Sequence, residues 1–258
     1  MENKGTLLGI LGGLGPMSGV YFCETLISHT RASCDKEHIN FLLSSRADTP
    51  DRSSFIIGAS QTDPSPVMAE EARRLQSAGA QLLAIPCNTA HYFYEKIRDA
   101  VDIPVINIIE ESARYCSYLG VSRVGVLATE GTSASGAYRD PFAARGICVE
   151  PLTKEEQDGV SLIIFDQIKS GLEPDMELFE GVCDGLRARG CQALILGCTE
   201  LSLIKKRYAL PEDVVDSLEL LTLAAIVGCG KTPVGFDSGI MRFYEDTKDT
   251  KDTKGKEG

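Results

Sequence analysis

Two cysteines occupy matching places in the two halves of this 258-residue chain. Cys87 ends the run Gly79-Ala80-Gln81-Leu82-Leu83-Ala84-Ile85-Pro86-Cys87 and is followed by Asn88-Thr89. Cys198 ends Gly190-Cys191-Gln192-Ala193-Leu194-Ile195-Leu196-Gly197-Cys198 and is followed by Thr199. Each cysteine lies eight positions after its glycine. An apolar run stands upstream of each copy, Thr6 to Leu11 around Gly9 and Arg123 to Thr129 around Gly125. From that glycine to the cysteine is 78 residues in the first copy and 73 in the second. Such self-similarity is the mark of an internal duplication. A duplicated fold with one thiol from each half fits a site where two thiols meet one substrate.

Short apolar runs alternate with helical patterns along the whole chain. Thr6 to Leu11, Phe41-Leu42-Leu43, Leu82 to Ile85, Pro104 to Ile108 and Arg123 to Thr129 read as strands. Helices are expected at about Met17 to Thr30, Pro66 to Ala78, Thr89 to Ala100, Glu173 to Arg189 and Ser217 to Gly228. Ser44 to Ser54 reads as a loop. Strand–helix alternation of this kind predicts an α/β fold with parallel sheets. Two pseudo-symmetric Rossmann-like domains are expected. The first spans 1–102, joined by a return of about 213–240, and carries Cys87. The second spans 103–212 and carries Cys198. The tail 241–258, with its Asp-Thr-Lys repeats, is too polar to bury a core and is expected to be disordered.

The formal net charge of −11 argues against non-specific nucleic-acid binding, which needs a basic surface. Nine cysteines and three histidines show no zinc-type spacing, so no metal is expected. Reduced thiols point to the cytoplasm. The N-terminal apolar run is broken at once by glycines and reads as a strand and turn rather than a signal peptide. No apolar stretch approaches a membrane span. Gly13-Leu14-Gly15-Pro16-Met17-Ser18 falls short of a dinucleotide fingerprint, because serine replaces the third glycine and Pro16 lacks an N–H. Gly228-Cys229-Gly230-Lys231-Thr232 is likewise no P-loop, since it follows a helix.

Ligands of open α/β sheets bind outside the carboxyl ends of the strands, where both cysteines fall. A helix N-terminus beside each thiol is expected to lower its pKa. Asn88, Thr89 and Thr199 add polar side chains, and the glycine turn with Gly13 and Met17 lets backbone approach a small substrate. Inverting a chiral carbon needs a base on one face and an acid on the other, and one thiolate with one thiol serves both directions.

The chain resembles the PLP-independent aspartate/glutamate racemases, most closely the aspartate racemase branch. The resemblance runs from about Leu8 to Leu210. It rests on Gly9 to Pro16, Pro50-Asp51-Arg52-Ser53, Pro86-Cys87-Asn88-Thr89-Ala90-His91, Glu155-Glu156-Gln157, Ile168-Lys169-Ser170-Gly171 and Gly197-Cys198-Thr199-Glu200. It implies two catalytic cysteines, Cys87 and Cys198, an active site in the cleft between the two domains, no cofactor and a homodimer. It also implies that Arg52 and Lys169 contact the carboxylates of an anionic amino acid, most simply aspartate. A guanidinium fork suits one carboxylate and a flexible ammonium the other. Glu200 and His91 are candidates to tune the thiols. Arg46, in Ser44-Ser45-Arg46-Ala47-Asp48-Thr49, departs from the branch and adds a second cation on the side-chain side. A glutamate or broad-specificity racemase, or a maleate isomerase-like enzyme of the same fold, remains the alternative. A non-catalytic dicarboxylate binder or redox sensor is the remaining one.

Overall fold

A computed structural model describes residues 5–252. In the first half, β1 (Leu8–Gly12) leads through α1 (Pro16–Ser28) to β2 (Phe41–Ser45). Helices α2 (Arg52–Ile56) and α3 (Ser65–Ser77) then lead to β3 (Leu82–Ala84). A 3-10 turn (Thr89–Phe93), α4 (Tyr94–Arg98) and α5 (Ile108–Tyr118) complete it. In the second half, β4 (Arg123–Leu127), α6 (Glu130–Ser135), α7 (Arg139–Ala143) and β5 (Cys148–Glu150) come first. They are followed by α8 (Lys154–Ser161), a π-helical stretch (Leu162–Ile168), α9 (Met176–Ala188) and β6 (Ala193–Leu196). Helix α10 (Ser202–Arg207), β7 (Val214–Asp216), α11 (Ser217–Gly228) and α12 (Ser238–Asp252) close the chain.

The two sheets are parallel and share one topology. Their orders are β2-β1-β3 and β5-β4-β6-β7. The expected strand at Pro104 to Ile108 shrinks to a single parallel bridge, Leu83 to Val105, beside β3. That bridge holds the place that β7 holds beside β6. Since β7 pairs in the second sheet, the return to the first half, expected from about 213, begins with α11.

The duplication explains two glycines. Leu8 and Ile10 face a central core, and Gly9 faces α3. A Cβ at Gly9 would lie 2.5 Å from Leu83 Cδ2 and 3.2 Å from Leu75 Cβ. Gly125 holds the same place in β4, where a Cβ would lie 2.6 Å from Leu186 Cδ1 of α9. Both glycines let an outer helix settle on its sheet at close range. The outer cores are separate, one under α3 with Met68, Leu75 and Leu83, the other under α9 with Phe179, Leu186 and Leu194.

A third core joins the halves. It gathers Leu8 and Ile10 of β1, Val124 and Val126 of β4, Ile109 of α5 and Leu221 of α11. Helices α5 and α11 follow corresponding strand positions, and each is capped by an acceptor at its first turn, Asn107 and Asp216. They pack on each other, α11 also resting on α1 and β3 and α5 on α7. Each half therefore lends its last helix to the other.

The tail expected to be disordered from 241 is helical as far as Asp252. Ile240 and Phe243 supply the apolar face that the polar repeat lacks, and both are buried. Phe243 packs edge-on against Tyr115 at 5.3 Å between centroids and touches Tyr118. The part of the tail beyond 252 lies outside the described residues. No described helix is long and apolar enough to cross a membrane.

Candidate active site

One narrow cleft, with about 10 Å³ of free space, is lined from both halves. The first half supplies Leu14, Asp51, Arg52, Ser53, Cys87, Asn88 and Thr89, and the second Thr129, Phe165, Lys169, Cys198, Thr199 and Glu200. Each thiol sits just beyond an apolar strand end, Cys87 three residues after β3 and Cys198 two residues after β6. Both cysteines are buried and neither forms a disulfide.

Cross-bonds fix the segments around the thiols. The Thr199 hydroxyl donates to the Pro86 carbonyl at 3.0 Å, tying the second cysteine loop to the first. Asn88 donates from Nδ2 to Ser217 Oγ at 3.0 Å and accepts at Oδ1 from the Tyr138 hydroxyl at 2.6 Å. Thr89, Thr129 and Thr132 form a ring of hydroxyl contacts between 2.9 and 3.1 Å, and Ser53 donates to Thr129 at 3.1 Å. Hydroxyls from both halves thus close the rim.

The two thiols differ in surroundings. The residue two places beyond Cys87 is the neutral Thr89, whereas two places beyond Cys198 it is Glu200. The Cys198 S–H donates to Glu200 Oε2 at 3.0 Å. Burial pushes the Cys198 thiol well up, and the charge of Glu200 adds to the effect. Burial also raises Cys87, but Arg52 opposes the rise. The expected lowering by helix N-termini is therefore overturned: backbone N–H groups favour each thiolate, yet loss of solvent outweighs them. A 3-10 turn follows Cys87, and the helix after Cys198 has only six residues, so neither end offers a long dipole.

Two cations reach the cleft. Arg52 is buried at the start of α2. Its Nη2 donates to the Leu14 carbonyl at 2.7 Å, and its Nη1 to the carbonyls of Thr49 and Pro50 at 3.2 and 3.1 Å. Its Nε is buried without a partner. Lys169 lies directly after the π-helical stretch, where its N–H reaches back five residues to the Ile164 carbonyl at 3.0 Å. Its ammonium stands 4.9 Å from the Phe165 ring centroid and 3.6 Å from Glu200 Oε1. Burial works against the ammonium, but Glu200 and the two thiols outweigh it and leave Lys169 above its ordinary value. Glu200 Oε1 has no hydrogen-bond partner.

Several residues expected at the site lie elsewhere. Met17 is 63% exposed on α1 and does not line the cleft. Gly13 does not line it either. Its φ is +82°, and a Cβ there would lie 2.3 Å from the Arg46 nitrogen, so its role is to seat the loop after β2. Arg46 is held outside the cleft by Glu71 at 2.8 Å and by Glu70 and Asp48, each at 3.3 Å. His91 lies beneath the first cysteine loop. Its Nδ1 donates to the Cys87 carbonyl at 2.8 Å and its Nε2 accepts from the Ile108 N–H at 3.2 Å. Burial pushes its pKa down to about 4, so it stays neutral and shapes the loop.

Asp51, Ser53, Thr129 and Phe165 are cleft residues that the sequence reading passed over. Asp51 caps α2 by accepting from the Ser54 N–H at 2.6 Å. Thr129 could be found by carrying the Gly9–Gly125 correspondence four residues on, from Gly13 to Thr129. Phe165 lies four residues before Lys169, on the same side of the helix.

A family model for Asp/Glu/hydantoin racemases matches residues 11–225. The fold is similar to that of Picrophilus torridus aspartate racemase, with a TM-score of 0.78 and 30% identity, over 89% of this chain and 96% of that one. It is also similar to an aspartate racemase homologue from Pyrococcus horikoshii OT3, with a TM-score of 0.69 and 25% identity, over 87% and 99% of the two chains. A broad specificity amino-acid racemase of Bacillus subtilis, RacX, is 25% identical over 224 residues, 85% of this chain and 96% of that one.

Proposed function

The chain belongs to the Asp/Glu/hydantoin racemase family and is an amino-acid racemase, and we propose that it interconverts L- and D-aspartate without a cofactor, using Cys87 and Cys198 as its two acid/bases. One observation supports this above the others. Two buried thiols, at equivalent strand ends of a duplicated fold, line one closed cleft with two cations. One thiolate removes the Cα proton and the opposite thiol returns one to the other face. Arg52 Nε and Lys169 Nζ bind the two carboxylates of the substrate, and charge developing on the α-carboxylate in the transition state is stabilised there. Asn88, Thr89 and Thr199 hold the two cysteine loops in register. The two halves act as lobes about the cleft, and the active form is a homodimer.

Aspartate is favoured because the cleft is small and the extra cation, Arg46, is neutralised outside it. Incubating the protein with L-aspartate and L-glutamate, without added cofactor, and separating enantiomers on a chiral column tests the assignment. D-aspartate should accumulate faster than D-glutamate. Equal rates, or glutamate alone, would reject aspartate as the preferred substrate.

Glu200 makes the two thiols unequal. The enantiomers are equally stable, so kcat/KM is the same in both directions at every pH, and the asymmetry is read in single-cysteine variants. Exchange of the Cα proton with solvent deuterium needs the remaining thiol as thiolate, so it rises with pH. In Cys87→Ala, which keeps Cys198, exchange should rise at higher pH than in Cys198→Ala, which keeps Cys87. Adding Glu200→Gln removes the charge that helps to raise Cys198 while keeping an acceptor for its S–H, and should move the Cys87→Ala profile to lower pH and the Cys198→Ala profile less. Equal displacement of both profiles would exclude the selective role.

A further inference from the structure

The duplicated fold leaves one place filled in the first half and open in the second. At the carboxyl ends of β1 and β2, the loop after β2 lies so close to Gly13 that a Cβ there would meet Arg46 backbone. Ser44 and Arg46 seal the place by bonding Glu71 at 2.6 and 2.8 Å. The corresponding place in the second half lies at the ends of β4 and β5. There Thr129 stands at the position of Gly13, and the segment Pro151 to Lys154 leaves a cavity of about 430 Å³. This is within the usual size of small-molecule sites, and the carboxyl ends of parallel strands are where such ligands bind.

Its walls are apolar, with Val126, Ala134, Val149 and Leu152, and two charges line it without salt bridges among the described residues, Arg139 and Glu130. The other charged groups are engaged: Lys154 pairs with Asp158 at 2.6 Å, and Glu150 with Arg123 and Arg189. We propose that this cavity is a second ligand site, distinct from the catalytic cleft, for an amino acid with an apolar side chain. Arg139 takes the carboxylate, Glu130 the ammonium, and the apolar walls the side chain.

The cavity shares its inner wall with the cleft. Tyr138 lines the cavity and donates to Asn88 Oδ1, while Thr132 lines it and contacts the Thr89 hydroxyl at 2.9 Å. Asn88 and Thr89 line the cleft. A third connection runs through Gln157, which bonds Ser133 at 2.7 Å and the Ala128 carbonyl at 3.0 Å. Its helix, α8, continues without a break into the π-helical stretch that precedes Lys169. Occupancy therefore biases both the cysteine loop and the lysine, and the coupling must be reciprocal.

Isothermal titration calorimetry with L-leucine as the probe tests this, with 4-methylpentanoate, which lacks the ammonium, as the comparison. Arg139 is exposed and outside the proposed catalytic machinery, so Arg139→Ala should racemise at the wild-type rate in the absence of leucine. Expected is saturable leucine binding to the wild type, at least tenfold weaker in Arg139→Ala and for 4-methylpentanoate. Leucine should also shift the KM of the acidic substrate in the wild type and not in the variant. The binding arm does not depend on which acidic amino acid is racemised. Absence of saturable binding, equal binding by the variant, or equal binding of 4-methylpentanoate would overturn the proposal. So would strict mutual exclusion of leucine and the acidic substrate, which would place leucine in the catalytic cleft.

Discussion

Cys87→Ala protein should turn over neither enantiomer of aspartate at a useful rate, and Cys198→Ala should behave alike. Removing one positioned acid/base typically costs about 10² to 10⁴ in rate. Here the loss should apply in both directions, because the proposed mechanism uses each thiol as base in one direction and as acid in the other. The variants should nevertheless differ in a second readout. Each retains one thiol, which still removes the proton of the enantiomer it faces. In deuterated water, Cys87→Ala should wash deuterium into one enantiomer and Cys198→Ala into the other, with little inversion. Both cysteines are buried, so Cys→Ser variants and circular dichroism separate a lost fold from a lost base. Native-rate racemisation by a folded Cys87→Ala protein would end the two-base assignment.

Arg52→Lys is the second large effect. It keeps the charge and loses the planar fork, and the two side chains are not interchangeable at such a site. Arg52 spends Nη1 and Nη2 on three backbone carbonyls, which locks the guanidinium and leaves Nε for the ligand. A lysine ammonium cannot hold that geometry and also meet the substrate. Misplacing a bound carboxylate by about 1 Å can cost around 10²-fold, and a loss of that order is expected in kcat/KM for aspartate. The Arg52 charge also opposes the upward shift of Cys87, and lysine keeps a charge nearby, so the pH profile of deuterium exchange by Cys87 in a Cys198→Ala background should move little. A variant with unchanged kcat/KM would remove Arg52 from substrate binding.

The duplication was legible because it is written in strand ends. Gly9 and Gly125 recur at the same depth in β1 and β4, each beneath an outer helix, and each cysteine follows the next buried strand of its half. Arg52 and Lys169 could be placed in the cleft only through the family resemblance, since neither sits in a periodic pattern. What the sequence hid was tertiary. Nothing local indicates that Arg46 is engaged by Glu70 and Glu71 on α3, or that Met17 faces outward on α1. The pKa expectation failed for a related reason. The polar neighbours of each thiol are visible in the sequence, whereas the burial that outweighs them depends on two halves closing together. The tail misled because its repeat is polar, while Ile240 and Phe243 just before it supply the contacts that hold the helix. Thr129 is reachable through the Gly13 correspondence, but its contact with Thr89, and that of Thr132, forms only when α6 meets the first half.

The central claim is that two thiols on opposite faces of Cα share each turnover. Isotope entry during the first turnovers in deuterated water, started separately from L- and D-aspartate without added cofactor, tests it most directly. The account predicts that the product enantiomer carries deuterium at Cα from the outset while the recovered substrate stays largely unlabelled, in both directions. Label appearing equally in substrate and product from the start would indicate one base acting on both faces. No exchange from either enantiomer would contradict aspartate racemisation itself.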